Sequence, residues 1–564
     1  MASAQSRIGW LFAAFLLLLV AAAVRTMYLG VLHSAALRRV AHTQQVTDET
    51  VPAQRGTITD RDGTVLAISE PAEDISATPY LLVKEPDPLE AAERLAPLLG
   101  RPQAQVLTEL SGHSGFVYLA RALPAARAKA VLALNIPGVT GTPVMHRVYP
   151  RGALAAQVLG MVGTGPSASE DGGLTGVEYA DDAILRGQAG ERRVVSDAKG
   201  QPISIADVHR EAPGARLQLT LDANIQQRSE AVLSAVGRVF HPKDATAIVM
   251  EPGTGSILAM ANWPQLNLQA RPSSPAALQA ALENRAVSFN YEPGSTFKAF
   301  TVSGALQEGR ITPSTEFFVP GQIRVADRTI HDAEEHGEEM LSTAQILARS
   351  SNVGAIKIGE LQTAPRFNEW VHRFGFGAPT GVDLPGEEIG QVLKLSQYSG
   401  SSMGNLPIGQ GESVTPIQMA TAYAAIANGG VLRAPHIVRA IDGRRVRLPA
   451  GHRVISASTA AQVRAMLRGV LAPGGTASEV SVPGYQLAGK TGTASKIDPA
   501  TGEYSETAYV ASFMGFAPAT DPKLLCAVIV DEPQTGSIFG GTVAAPAFGQ
   551  IMAFALPYLG IPPG

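Results

Sequence analysis

The chain has 564 residues, of which 45% are hydrophobic and 17% are charged, and its formal net charge is −4. This length predicts two to four globular domains, and the lack of a basic excess argues against a nucleic-acid partner. Cys526 is the only cysteine, so no disulfide can form within the chain. Its apolar context, LLCAVIVD, predicts a buried small hydrophobe and not a nucleophile.

The N-terminus predicts a membrane anchor. An uncharged apolar run begins at residue 8 and, after one arginine, continues to residue 32, which is long enough to cross a bilayer of about 30 Å as a helix. We expect a cytoplasmic tail over 1–7 and an anchor over 8–32, with the bulk of the chain outside the cytoplasm, because seven residues hold no domain. A cleaved signal peptide is the alternative, since Ala21–Ala23 offers small residues to a peptidase.

The next part of the chain predicts a linker over 33–50 and a first extracytoplasmic domain over 51–212. RGTITDRDGTVLAIS (55–69) is typical of a β-hairpin that turns at Asp62-Gly63. Ala- and Leu-rich stretches between 84 and 135 have the spacing of short helices. We find no catalytic cluster in this domain.

A second domain is predicted over 213–560. It opens with the amphipathic helix NIQQRSEAVLSAVGRV and a hairpin over 245–262 that turns at Pro252-Gly253. Near its end, YVASFMGFAP and KLLCAVIVD predict two more strands, and AAPAFGQIMAFALPYL predicts an apolar helix. This order predicts an α+β fold: a mostly antiparallel sheet with helices on its faces, and a helical insertion between its second and third strands.

The stretch GYQLAGKTGT, from Gly484 to Thr493, has two incompatible interpretations. Its first eight residues fit a phosphate-binding loop, and its last four fit the Lys-Thr-Gly element of enzymes that acylate a serine. A phosphate loop must follow a strand and open a helix. Here Pro483 interrupts the preceding strand, and the turn-rich GTASKIDPATGEYSE follows. The second interpretation is favoured, and it requires a nucleophile elsewhere.

Ser-x-x-Lys, the matching nucleophile motif, occurs twice. The copy at Ser196–Lys199 lies in a polar segment with a glycine and a proline just after it, which indicates chance. In YEPGSTFKAFTVSGALQEG, by contrast, Ser295 and Lys298 lie three apart on a predicted apolar helix and share one face. A desolvated lysine can take the proton of a neighbouring serine. The alternative is a serine helix cap followed by a solvated lysine.

Ser-x-Asn also occurs twice, at Ser288–Asn290 and at Ser350–Asn352. The second copy lies between two predicted helices, TAQILAR and VGAIKIGEL. Residues two apart do not share a helix face. Joint action of Ser350 and Asn352 therefore requires a turn between two helices, and a simple helix cap is the alternative.

The order of these motifs is more specific than any one of them. Ser-x-x-Lys, then Ser-x-Asn, then Lys-Thr-Gly-Thr near the end resembles the penicillin-binding proteins and serine β-lactamases. RGTITDRDG, RVYPRG and GLTGVE resemble the membrane-proximal pedestal of the class B penicillin-binding proteins, the monofunctional peptidoglycan D,D-transpeptidases. VDLPGE, GQGESVTPIQ and GGTVAAPAFG resemble their transpeptidase domain. The resemblance covers the chain from about residue 50 to 550.

The resemblance implies a transmembrane helix, an elongated α+β pedestal or dimerisation domain, and a transpeptidase domain with the serine β-lactamase-like fold. Ser295 would attack the D-Ala–D-Ala bond of a donor stem peptide, with Lys298 as base. Ser350 would relay a proton to the leaving amine, and Asn352 would hold the donor amide. The backbone N–H groups of Ser295 and Thr493 would form the oxyanion hole.

The Lys-Thr-Gly-Thr element is expected to bind the substrate. Lys490 would offer a positive charge, and Thr491 and Thr493 their hydroxyls, to a peptide carboxylate. Gly492, on a strand edge, would let the substrate backbone approach.

The expected partners follow from the same resemblance. They are the membrane, peptidoglycan stem peptides, β-lactams as covalent inhibitors, a polytopic glycosyltransferase and other divisome proteins. A role in cell division is favoured over a role in elongation. No cofactor is expected.

Several alternatives remain. They are a D,D-carboxypeptidase or β-lactamase-like hydrolase, a catalytically silent penicillin-binding receptor, and a hydrolase built on Gly400–Gly404, which fits G-x-S-x-G. Against a β-lactamase, no Glu-x-x-Leu-Asn pattern lies between Ser350 and Lys490.

Overall fold

A computed structural model describes residues 4–29, 46–82, 87–112, 114–163, 172–196, 202–268, 272 and 274–563. The strands, in chain order, are β1 Val46–Val51, β2 Ile58–Thr59, β3 Val65–Ala77, β4 Val117–Pro124, β5 Val139–Val148, β6 Gly190–Ser196, β7 Pro202–His209, β8 Leu217–Leu219, β9 Asp244–Met250, β10 Ile257–Trp263, β11 Glu316–Val319, β12 Gln322–Val325, β13 Arg328–His331, β14 Glu339–Ser342, β15 Val431–Leu432, β16 Val438–Ile441, β17 Arg444–Arg445, β18 His452–Arg453, β19 Ala488–Ile497, β20 Tyr504–Ala517 and β21 Leu524–Asp531.

The helices are α1 Ala4–Met27, α2 Pro88–Leu99, α3 Gln103–Leu110, α4 Ala125–Leu132, α5 Ala156–Leu159, α6 Gly176–Ala180, α7 Asp182–Leu185, α8 Ala223–Phe240, α9 Pro275–Leu282, α10 Arg285–Ser288, α11 Lys298–Gln307, α12 Thr343–Arg349, α13 Asn352–Glu360, α14 Thr363–Arg373, α15 Ser402–Asn405, α16 Pro416–Ala427, α17 Ala457–Leu467, α18 Gly540–Val543 and α19 Ala545–Tyr558. Short 3-10 helices add Pro79–Leu81, Gly294–Phe297, Leu395–Gln397, Leu406–Ile408 and Arg468–Leu471.

Contacts divide the chain into two units. The smaller unit comprises 1–54, 71–146 and 187–214, and the larger comprises 55–70, 147–186 and 215–564. Two segments of the predicted pedestal, 55–70 and 147–186, therefore pack within the larger unit. The domain boundaries proposed from the sequence remain a prediction.

The smaller unit contains the predicted anchor and the predicted short helices. Within α1, residues Ile8–Met27 are apolar and long enough to cross a membrane. The last residues of the predicted anchor and most of the linker lie outside the described residues. Strands β1, β6 and β7 form an antiparallel sheet. Helices α2, α3 and α4 bury their apolar faces in a separate core with β3 and β4.

The larger unit is built on a five-stranded antiparallel sheet in the order β10-β9-β21-β20-β19. Successive residues of a strand point to opposite faces. On β9, Ala247 and Val249 join the core formed with α8 and α19, while Ile248 and Met250 join the core on the other face. Both faces are covered, so every residue of β9 is buried, including the polar Asp244 and Thr246. The predicted antiparallel sheet and hairpin are confirmed.

Three sequence motifs of the pedestal meet in one buried ion cluster of the larger unit. Arg55 from RGTITDRDG and Arg147 from RVYPRG place their Nε atoms 2.6 and 2.7 Å from the carboxylate of Glu178, which ends GLTGVE. Glu178 is fully buried. A buried carboxylate is tolerated only when it is paired, so these three motifs form one structural unit.

Candidate active site

Ser295 lies in a short 3-10 turn, Gly294–Phe297, that leads directly into α11. The sequence predicted one continuous helix from this point. The difference follows from Pro293 and from Gly294, whose φ of +53° lies in the left-handed region. The neighbouring residues Gly294, Thr296 and Phe297 are buried, whereas Ser295 is half-buried. The turn thus presents the serine at the surface of a packed core.

Contacts from distant segments hold this turn in place. The N–H of Gly294 donates to the carbonyl of Gly409 over 3.0 Å, and the hydroxyl of Tyr423 donates to the carbonyl of Thr296 over 2.6 Å. A Cβ on Gly409 would lie 2.3 Å from the carbonyl oxygen of Gly294. The glycine at 409 is therefore required for this close approach.

Lys298, the first residue of α11, is fully buried. Its Nζ lies 2.5 Å from the carbonyl oxygen of Ser350, 2.7 Å from Oδ1 of Asn352 and 3.3 Å from Oγ of Ser350. Burial lowers the pKa of Lys298 to about 7, and the charge of Asp332 opposes that shift. A neutral amine can donate to the two shorter acceptors and keep a lone pair free for a hydroxyl proton.

The Ser-x-Asn motif forms the turn between helices that its joint action requires, as predicted. Ser350 ends α12 in the left-handed conformation, with φ of +63°, and Ser351 caps α13 by accepting from the N–H of Gly354. Asn352 begins α13, and its Nδ2 donates to the carbonyl of His331 over 2.8 Å. The amide of Asn352 thus already bonds on both sides, to Lys298 and to His331.

Lys490, Thr491, Gly492 and Thr493 lie on β19, at the edge of the five-stranded sheet. Because Lys490 lies inside a strand and not at a helix start, the phosphate-loop interpretation is wrong. The strand packs against the Ser295 turn: a Cβ on Gly294 would lie 3.3 Å from the carbonyl oxygen of Thr493. The sheet edge and the serine are therefore adjacent.

Lys490, which was expected to offer a positive charge, lies in surroundings that disfavour that charge. Its side chain is fully buried, and its Nζ lies 3.2 Å from the carbonyl oxygen of Thr491. Burial, and secondly the charge of Lys298, hold the pKa of Lys490 well below its usual value. Burial and the neighbouring cation thus both disfavour the charged form of Lys490.

Gly492 lies on the edge strand and also has a packing role, because the side of its Cα that would carry a side chain faces the protein. A Cβ there would lie 2.3 Å from Oγ of Ser512, 2.9 Å from Cγ2 of Thr296 and 3.1 Å from the carbonyl oxygen of Pro293. The missing side chain makes room for the packing of β19 against the Ser295 turn. Close approach of a substrate is thus not needed to explain this glycine.

The two threonine hydroxyls of β19 have defined partners. Oγ1 of Thr491 lies 2.7 Å from Oγ1 of Thr476, and Oγ1 of Thr493 accepts from the N–H of Gly540 over 3.1 Å. Gly540 opens the GGTVAAPAFG stretch, and a Cβ there would lie 2.3 Å from the carbonyl oxygen of Gly492. The start of this stretch therefore packs directly against β19 at Gly492 and Thr493 and supports the strand there.

These elements bring Ser295, Lys298, Ser350, Asn352 and the β19 residues together. Among the described hydrogen bonds, none joins Ser295 Oγ directly to Lys298 Nζ, whose bonds go to Ser350 and Asn352. The other Ser-x-x-Lys copy cannot be placed, because its lysine lies outside the described residues. The G-x-S-x-G stretch continues into the four-residue α15 after a 3-10 turn and not after a strand, unlike a nucleophile elbow.

Sequence reasoning missed Asp332 and His336. Asp332 accepts hydrogen bonds from Ser351 Oγ and from the N–H groups of Asn352 and Val353, and His336 contacts the same carboxylate. Their segment, HDAEEHGEEM, is polar and resembles an ordinary surface loop, so no local signal identifies them. Within the described ranges, no group of three or more His, Cys, Asp or Glu could hold a metal ion.

Two family models match the chain: the penicillin-binding protein dimerisation domain over 50–219 and the penicillin binding protein transpeptidase domain over 245–553. Penicillin-binding protein PbpB of Mycobacterium tuberculosis is 36% identical over 584 aligned positions, covering 98% of this chain and 84% of that protein. Peptidoglycan D,D-transpeptidase FtsI of Escherichia coli is 31% identical, covering 99% and 93%. The crystal structure of M. tuberculosis penicillin-binding protein 3 complexed with aztreonam has a TM-score of 0.70 at 32% identity, covering 92% of this chain and 98% of that one.

Proposed function

Because this chain belongs to the class B penicillin-binding proteins of the cell-division type, we propose that it is a peptidoglycan D,D-transpeptidase that works through a Ser295 acyl-enzyme. The observation that carries the proposal is the position of Lys298: it is fully buried, bonded to the Ser350–Asn352 turn, and one turn along from Ser295. Burial gives this lysine the low pKa that a general base needs near neutral pH.

In the acylation step, Ser295 Oγ gives its proton to the neutral amine of Lys298 and attacks the carbonyl carbon of the D-Ala–D-Ala bond. The backbone N–H groups of Ser295 and Thr493 stabilise the oxyanion. The C–N bond then breaks, and the leaving D-Ala amine takes up the proton from Lys298 through the hydroxyl of Ser350, which lies 3.3 Å from Nζ.

In the transfer step, the amine of a second stem peptide attacks the ester and loses its proton by the reverse route. Ser295 regains its proton, and a new peptide bond replaces the broken one, so the exchange needs no ATP. Thr491 and Thr493 offer hydroxyls to the donor carboxylate. Lys490 adds electrostatic support when the incoming carboxylate favours its protonation, because an anion raises the pKa of a neighbouring amine.

The acyl-enzyme formed with penicillin is expected to be long-lived. Glu412 is fully buried with its pKa raised well above the usual value by burial, so it favours the neutral acid. Glu292 accepts from the N–H of Gly411 and the hydroxyl of Tyr504. Neither carboxylate is placed as a free base, so water would attack the ester slowly and a bound amine would be preferred.

Labelling with a fluorescent penicillin tests the nucleophile. The wild-type protein should give a covalent band, Ser295→Ala should give none, and Ser401→Ala, a serine of the rival G-x-S-x-G motif, should label like the wild type. Intact-protein mass spectrometry after a penicillin pulse tests the slow deacylation. Rapid return to the unmodified mass with steady penicillin consumption would assign the protein to the β-lactamases instead.

In this proposal, the anchor and the pedestal hold the transpeptidase domain outside the cytoplasm, and the reaction takes place there. Among the described residues, Ile8–Met27 within α1 is the candidate span, and residues 1–7 would lie on its cytoplasmic side. The pedestal, proposed over 51–212, and the anchor would bind a polytopic glycosyltransferase that supplies glycan strands within the divisome. Depletion should produce filaments, whereas rounded cells would indicate elongation.

A further inference from the structure

The polar loop after β13, which contains Asp332 and His336, lies against the Ser350–Asn352 turn. Asp332 follows β13, and its side chain is 5% exposed. Its carboxylate accepts from Ser351 Oγ over 2.7 Å, from the N–H of Val353 over 3.0 Å and from the N–H of Asn352. It therefore satisfies the first N–H groups of α13 from outside the helix, where a negative charge is also favoured by the helix dipole.

His336 contacts the same oxygen of this carboxylate, Oδ2, that accepts from Ser351. Its Nε2 lies 2.8 Å from Oδ2 of Asp332, and its Nδ1 lies 3.2 Å from a carboxylate oxygen of Glu339. Glu339 in turn pairs with Arg349 over 2.7 Å. Arg349 is the residue before Ser350, so the chain of contacts begins and ends on the catalytic turn.

The turn needs such support because its conformation is unfavourable by itself. Ser350 has φ of +63°, a region that non-glycine residues enter only when the surroundings impose it. The carbonyl of Ser350 and the Oδ1 of Asn352 are the two nearest acceptors of Lys298. Any shift of the turn therefore moves the amine of Lys298 as well.

We propose that Asp332 and His336 are positioning residues that hold the Ser350–Asn352 turn and, through it, the amine of Lys298. The inference rests on the proposed function. Asp332 fixes the backbone of the turn, and His336 fixes the orientation of the Asp332 carboxylate. Neither touches the reacting atoms.

Second-order acylation rates with a fluorescent penicillin test the proposal. Asp332→Asn can no longer accept from all of its donors, and we expect acylation to fall by at least about tenfold, because small misplacements of catalytic groups are costly. His336→Gln should reduce acylation by a few-fold. Glu334→Gln and Glu335→Gln change exposed residues of the same loop and should match the wild type.

The pH profile separates positioning from general destabilisation. The charge of Asp332 raises the pKa of Lys298 against the effect of burial, so Asp332→Asn should move the rising limb of acylation to lower pH, and Asp332→Glu, which keeps the charge, should leave it in place. The charged groups that face Asp332 are Lys298 and His336. Those that face His336 are Asp332 and Glu339, and Lys490 faces Lys298.

The outcomes are distinct. The proposal would be overturned if both Asp332→Asn and His336→Gln acylate at the wild-type rate and keep the rising limb of the pH profile at the wild-type pH. A loss of rate that only tracks a lower melting temperature would overturn it as well. If the wild-type protein is not labelled at Ser295 at all, the proposed function fails instead. Should Asp332→Asn not fold, the rate and profile of His336→Gln decide.

Discussion

Gly492→Ala distinguishes a packing role for this glycine from a role in substrate approach. Gly492 is not among the glycines with positive φ, so alanine can adopt its backbone conformation and the cost is steric. The new Cβ would lie 2.3 Å from Oγ of Ser512 and 2.9 Å from Cγ2 of Thr296. Ordinary contacts are about 3.5 Å, so the Ser512 side chain must rotate away and β19 must move by about 0.5 Å relative to the Ser295 turn.

Overpacking of this size destabilises a core by about 1–3 kcal/mol, and a displacement of about 1 Å at a catalytic site costs on the order of 10²-fold in rate. The shift expected here is about half as large, so Gly492→Ala should lower the melting temperature by a few degrees and slow penicillin acylation by about tenfold. Thermal unfolding and acylation kinetics measure the two effects.

Two matched variants complete the test. Gly253→Ala adds a Cβ that meets nothing within 4 Å and should change neither quantity. Ser512→Ala combined with Gly492→Ala removes the closest contact and should restore part of both. If Gly492→Ala keeps the wild-type melting temperature while acylation falls, the glycine acts by admitting substrate, and the packing explanation is refuted.

Acylation should rise about tenfold between about pH 6 and 8 as Lys298, with a pKa of about 7, loses its proton; a flat rate profile would argue against Lys298 as the base. Glu178→Ala leaves buried Arg147 without its carboxylate and Arg55 with Asp182 alone, and it should destabilise the larger unit by about 3–5 kcal/mol, which denaturant unfolding would detect. Tyr423→Phe removes a buried hydrogen bond to the carbonyl of Thr296, which should cost about 1 kcal/mol and slow acylation by a few-fold, whereas unchanged kinetics would show that the turn does not depend on this bond.

The sequence by itself determined the secondary structure of the sheet and the identity of the chemical groups. Apolar runs bounded by turn residues located β9, β10, β20 and β21, because local patterning reports burial on both faces of a strand. The Ser-x-Asn spacing required a turn between two helices, since residues two apart cannot share a helix face. The order of the motifs predicts Ser295 as the nucleophile and Lys298 as its base, and the fold places both beside the Ser350–Asn352 turn.

Only the tertiary structure decided how these groups behave. The pKa of Lys298 depends on its complete burial, and the lowered pKa of Lys490 depends on burial and then on the charge of Lys298. The packing role of Gly492 depends on Ser512 of the adjacent strand and on the Ser295 turn. Asp332 had no sequence signal, because its donors belong to a helix that starts 20 residues later. Each of these properties is set by contacts between segments far apart in the chain, and local spacing carries no information about such contacts.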